Sequence, residues 1–161
     1  MRHRRRFGTF FSENPVAYDK AKWHYDGDFP RWTRKRQAFV HTGFFLAWIA
    51  DRNMVGDMLV TESPRNIAAL RNRRGRPDDL YAEWDGVLMS SMLNAEANAF
   101  AGAYYERLYL EDCERVFPDA GPYQVRGTWQ NYDRIAPVLD ERLEAWRAGA
   151  GHWPEGGHEG L

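Results

Sequence analysis

Apolar side chains return along this chain at the spacing of one helical face, i, i+3, i+4 and i+7, more than in the alternation of a strand. The clearest run spans Asn94 to Phe117. Leu93, Ala97, Phe100, Ala101, Tyr104 and Leu108 fall on one side, and Cys113, Val116 and Phe117 continue an apolar side until Pro118 and Gly121 stop the helix. Tyr132, Ala136, Leu139, Leu143 and Trp146 predict another helix from Trp129. Pro137 is expected to kink it or begin a new segment, because proline has no N–H to donate and its ring crowds the preceding turn. Between Thr33 and Asn53, Ala38, Phe39, Phe45, Leu46 and Ile49 leave so little polar surface that this helix belongs at the centre of the fold. Shorter helices are predicted at Tyr18–Tyr25, stopped by Gly27 and Pro30, and at Met54–Val60. A further one is capped by Ser63, with Pro64 at its first position and Ile67 and Leu70 as apolar contacts, and Pro77–Trp84 forms a helical turn. Gln124–Thr128 reads as a short strand or an extended link. The expected architecture is mainly α: a single-domain helical bundle of five to seven helices with little or no strand, over residues 14–148. A basic flexible tail (1–13) and a Gly-rich flexible tail (149–161) flank it.

Composition adjusts this picture in few places. Aromatic residues make up 15% of the 161, enough to fill a sizeable core and also the type favoured at contact surfaces. The lone cysteine, Cys113, excludes an intramolecular disulfide and fits a reducing cytoplasm; on the apolar side of its helix it is expected to be an inert thiol. The longest apolar run, Phe44 to Ala50, is far short of the roughly 20 residues that cross a bilayer. The basic N-terminus is not followed by an apolar segment with a cleavage site, so a cytoplasmic protein with no membrane contact is expected. Charge is unevenly spread. Residues 1–80 hold 16 Lys/Arg against 9 Asp/Glu and residues 81–161 hold 6 against 14, so the near-neutral chain has a basic and an acidic half. Either these form opposite faces, or they fold against each other and cancel.

Four groups of residues invite a chemical reading. Asp19, His24, Asp26 and Asp28 offer metal ligands, and Asp26-Gly27-Asp28 matches part of a calcium loop, but its further Asp, spaced Gly and terminal Glu are missing. No metal or cofactor is therefore implied. The same Asp residues suit turns and caps, while Trp23, Tyr25 and Phe29 suit packing or a partner surface. His41 shares a helical side with Phe45, Trp48 and Arg52 and needs a hydrogen-bond partner, which Asp19, Asp26 or Asp28 would supply. With Asp19 orienting it, His41 makes a candidate general base, but no nucleophile accompanies it. Arg71, Arg73, Arg74 and Arg76, with Arg2 to Arg6, have the forked donors that suit phosphate; a pI near 6.5 argues against a dedicated nucleic-acid binder. Glu106, Glu111, Asp112 and Glu114, with Glu83 and Asp85, form an acidic side that would steer a basic partner.

Three blocks together resemble a bacterial family known as a domain of unknown function. They are Tyr18-Asp19-Lys20-Ala21-Lys22-Trp23-His24-Tyr25 with Gly27-Asp28-Phe29-Pro30 and His41-Thr42-Gly43-Phe44-Phe45-Leu46-Ala47-Trp48; Asn98-Ala99-Phe100-Ala101 with Tyr104-Tyr105 and Tyr109-Leu110-Glu111-Asp112; and Trp129-Gln130-Asn131-Tyr132-Asp133 with Asp140, Arg142 and Trp146. Cys113 stands where the resemblance would have an aromatic residue. Small proteins of this type look like immunity proteins, which implies a cognate protein partner, a toxin, neutralised by steric occlusion. On that expectation Trp23, Tyr25, Asp26 and Asp28 form one contact surface and Glu111, Asp112 and Glu114 another. A small enzyme using His41 and Asp19, and a weak nucleic-acid module using the Arg clusters, are the alternatives.

Overall fold

In the computed structural model, residues 15–22, 35–121 and 123–151 are described. Trp23, His24, Tyr25, Asp26, Asp28, Phe29 and Arg2 to Arg6 lie outside them. The fold is mainly α, a single domain built round one helix, α1 (Val40–Asp51), which a 3-10 turn at Lys35–Phe39 introduces. Every residue from Val40 to Ala50 is buried. A helix apolar on all sides has no face for water, so the others must enclose it. α3 (Pro64–Arg71), α4 (Asp79–Glu83) and the 20-residue α7 (Trp129–Ala148) all pack on it. Phe44 meets Phe117 and Tyr132, Phe45 meets Tyr104, Tyr105 and Tyr109, and Trp48 meets Phe100. Much of the aromatic content therefore serves the core. Gly43 lets the loop before α4 reach α1: a Cβ there would overlap the Asp78 Cβ and lie 2.7 Å from its Cα.

Several expectations are corrected. The segment read as the start of a helix at Tyr18 is a strand, β1 (Ala17–Lys20), paired antiparallel with β2 (Val87–Met89) and bulged between Ala17 and Asp19. Long-range bonds override local propensity here. The Tyr18 hydroxyl donates to the Asn98 carbonyl and side-chain oxygens (3.2 and 2.9 Å), and the Ala21 N–H donates to Gly86 (2.7 Å). Met54 and Val55 are extended, Val55 bridging Leu93, so α2 begins only at Asp57 and ends at Glu62. Ser63 does not cap α3 with its side chain; its buried hydroxyl accepts from Trp84 Nε1 at 2.9 Å and ties α3 to the end of α4.

The long helix is also not uniform. α5 (Ala95–Tyr104) passes through a π segment, Tyr105–Tyr109, into α6 (Leu110–Val116). One extra residue in the turn rotates everything beyond it, so the buried side moves onto Tyr105, Tyr109 and Asp112. Pro137 starts no new segment: α7 is continuous through it, with the proline on the exposed side. Gln124–Thr128 is a link without strand pairing, and Gln37 Nε2 fixes its start by donating to the Tyr123 and Val125 carbonyls (2.8 and 3.0 Å).

Candidate functional site

The bulged strand turns Asp19 inward onto α1, where its carboxylate is buried. Asp19 Oδ2 accepts from the Thr42 hydroxyl at 2.8 Å and the Tyr105 hydroxyl at 2.6 Å, and those two hydroxyls lie 2.7 Å apart. His41 Nε2 lies 3.5 Å from the same oxygen, an ion pair when the imidazole is protonated. Tyr109, at the end of the π segment, donates its hydroxyl to the His41 carbonyl. Burial first, then the Asp19 charge, pushes the Tyr105 phenol well above its usual range; burial does the same to Tyr109. Both phenols therefore act as donors, not bases. Of the three carboxylates considered as partners for His41, Asp19 is the one beside it; Asp26 and Asp28 fall outside the described residues.

His41 also lines an apolar cavity of about 280 Å³ between α1, α6 and the link that follows α6. Val40 and Phe44 supply the α1 wall, Leu110, Cys113 and Glu114 the α6 wall, and Phe117, Ala120, Tyr123 and Val125 the remainder. The Cys113 thiol is pushed up to about 12, chiefly by burial and further by the neighbouring Asp112 and Glu114 charges, against a hydrogen bond with Tyr109. A thiol held protonated is a poor nucleophile, so the cysteine and histidine that share this cavity do not make a thiolate pair. Among the described residues no three His, Cys, Asp or Glu side chains are grouped as metal ligands.

The other predicted residues are used within the fold. Asp112 is fully buried: Arg142 grips it with two bonds of 2.8 Å, the Tyr104 hydroxyl donates at 2.8 Å, and Arg115 Nη1 lies 3.3 Å away. It joins α6 to α7 and is withdrawn from the acidic surface, which keeps Glu106, Glu111 and Glu114, with Arg107 and Arg115 exposed among them. The arginines of the cluster stay exposed, but three of them are engaged by neighbouring groups. Arg71 donates to the Ala50 carbonyl (3.1 Å) and Asn53 (2.9 Å), ending α1. Arg73 holds a left-handed backbone (φ 56°), pairs with Asp133 at 2.8 Å and sits 4.8 Å over the Trp129 ring. Arg76 and Arg36 together clamp the buried Asp78 at 2.9 and 2.8 Å. Three of the four arginines thus brace neighbouring elements, and all four, Arg74 included, remain exposed.

Reading the sequence missed Leu110, Gln37 and the tyrosine pair of the π segment. For the tyrosines and Leu110 a signal was present: the apolar stripe slips by one position between Leu108 and Cys113, the mark of one inserted residue. No curated protein and no solved structure matches the chain. A family described as a domain of unknown function, DUF7832, matches residues 17–125, a span that contains the first two resembling blocks and ends before the third. The chain belongs to that DUF7832 family.

Proposed function

We propose that this chain is a protein-binding module, an immunity protein that neutralises a cognate bacterial toxin by covering its active site. The observation that carries this reading is the outer side of α6. Leu110 is 50% exposed at the mouth of an apolar cavity, with Glu111 and Glu114 exposed beside it. An apolar centre with a polar rim is how contact hot spots are built. The buried carboxylates support the same reading, because Asp78 and Asp112 are held by guanidinium groups and Asp19 by two hydroxyls, as structural groups are.

The test is co-purification from the native host with a tagged chain at moderate salt, read by mass spectrometry. The expected outcome is one stoichiometric protein, toxic when expressed alone and silenced by co-expression. Leu110→Asp and Glu111→Lys should weaken that complex by about tenfold or more each, as removal of a hot-spot contact does. A preparation without a partner, or a complex indifferent to both changes, would sink the proposal.

A further inference from the structure

We infer that the cavity between α1 and α6 is a binding site for a small aromatic molecule bearing an N–H or ammonium group. This goes beyond the protein-binding reading and stands without it.

Size comes first. At about 280 Å³ the cavity is well above the ~150 Å³ at which an apolar protein cavity already takes up benzene. A fused two-ring molecule is the matching class. The walls are preformed on both sides. Phe44 is fixed edge-on against Tyr132 (6.2 Å between centroids) in the core, and Gln37 pins the Tyr123 and Val125 carbonyls opposite. The floor at His41 is tied through its carbonyl to Tyr109. Binding to such a site requires little reorganisation, which is what lets a small apolar ligand retain its affinity.

Charge then selects the ligand. Among the described lining residues the one permanent charge is the Glu114 carboxylate, at the exposed edge, while the His41 imidazole faces Asp19. A ring that carries a donor gains a charge-assisted bond at Glu114; one that carries a carboxylate is repelled. A second, shallower cavity of about 200 Å³ shares Phe117, Ala120 and Val125 and presents Arg126 and Arg134. Arg134 is already engaged with the Val116 carbonyl (2.6 Å) and the Phe117 ring (4.6 Å), so the deeper cavity with its acidic edge is the better site.

The experiment is isothermal titration of the full chain with tryptamine, indole and indole-3-acetate, which share one ring system and differ in charge. Tryptamine should bind about tenfold tighter than indole-3-acetate, with indole between them. Glu114→Gln should remove most of the advantage of tryptamine over indole-3-acetate. Cys113→Phe, which places a ring inside the cavity, should abolish binding of all three; if that variant does not fold, Ala120→Leu from the opposite wall serves the same purpose. No binding by any of the three at millimolar concentration, indole-3-acetate binding most tightly, or unchanged binding in the cavity-filling variants would overturn the inference.

Discussion

An aspartate with no solvent exposure, gripped by a guanidinium fork and a phenol, joins two helices near the end of the long helical rod. Asp112 was legible in the sequence only as one member of an acidic run, and charge runs on helices normally face water. What the run concealed is that Arg142, thirty residues later, comes to the same place with Nε and Nη2 each 2.8 Å from a carboxylate oxygen. Replacing one partner of such a pair leaves a buried charge without compensation. Asp112→Asn should therefore cost about 3 kcal/mol in urea unfolding, whereas the exposed Glu111→Gln should stay within about 0.5 kcal/mol. Equal effects at the two positions would mean that Asp112 is not buried as described. At the same scale, Cys113 is where the chain departs from the aromatic residue its resemblance implies, and Cys113 is also a wall of the cavity.

Whole elements were easier to read than their ends. The central burial of α1 followed from its composition, and the stripe of α7 from its spacing, because both depend on many residues at once. β1 was not legible. Its four residues pair with a strand about seventy positions away, and nothing local in Tyr18-Asp19-Lys20 announces that. The cavity depends on Gln37 reaching Tyr123 and Val125, again a distant contact. At Pro137 the helix runs on through a residue that lacks a donor, so no new segment begins there. Ile135, Ala136 and Leu139 are buried around it and hold α7 together. Pro137→Ala would restore a backbone donor within the helix. The gain should be about 2 kcal/mol, from the roughly 3 kcal/mol interior penalty of proline less the up to ~1 kcal/mol of unfolded-chain entropy that it removes. Thermal unfolding should show a higher midpoint; no rise would mean that α7 bends there without loss.

Across the molecule, the basic and acidic halves partly close on each other. Arg52 grips Asp140 with bonds of 2.7 and 2.5 Å, and Arg73 reaches Asp133. Burial alone would raise the Asp140 carboxyl, but hydrogen bonds from Arg52 and Trp48 and the Arg52 charge hold it below the usual carboxylate range. Glu96 is lowered by its bond with Arg147. A carboxyl lowered on folding stabilises the protein fully above its unfolded pKa, about 4, and loses that contribution as pH falls through the folded value. Urea midpoints should therefore drop below about pH 4. Asp140→Asn should be less stable at neutral pH and lose less between pH 5 and 3 than the parent chain; parallel acid limbs for the two would refute the assignment.

The enclosure of α1 also sets a schedule for the newborn chain. The helix is complete at Asp51, yet one of its covers, α7, ends only at Ala148. On the ribosome, eleven consecutive residues that the finished fold keeps dry emerge long before that cover exists, since translation proceeds at roughly 5–20 residues per second. The native enclosure of α1 is thus reached only after Ala148 has emerged. Until then its most apolar segment lacks that cover.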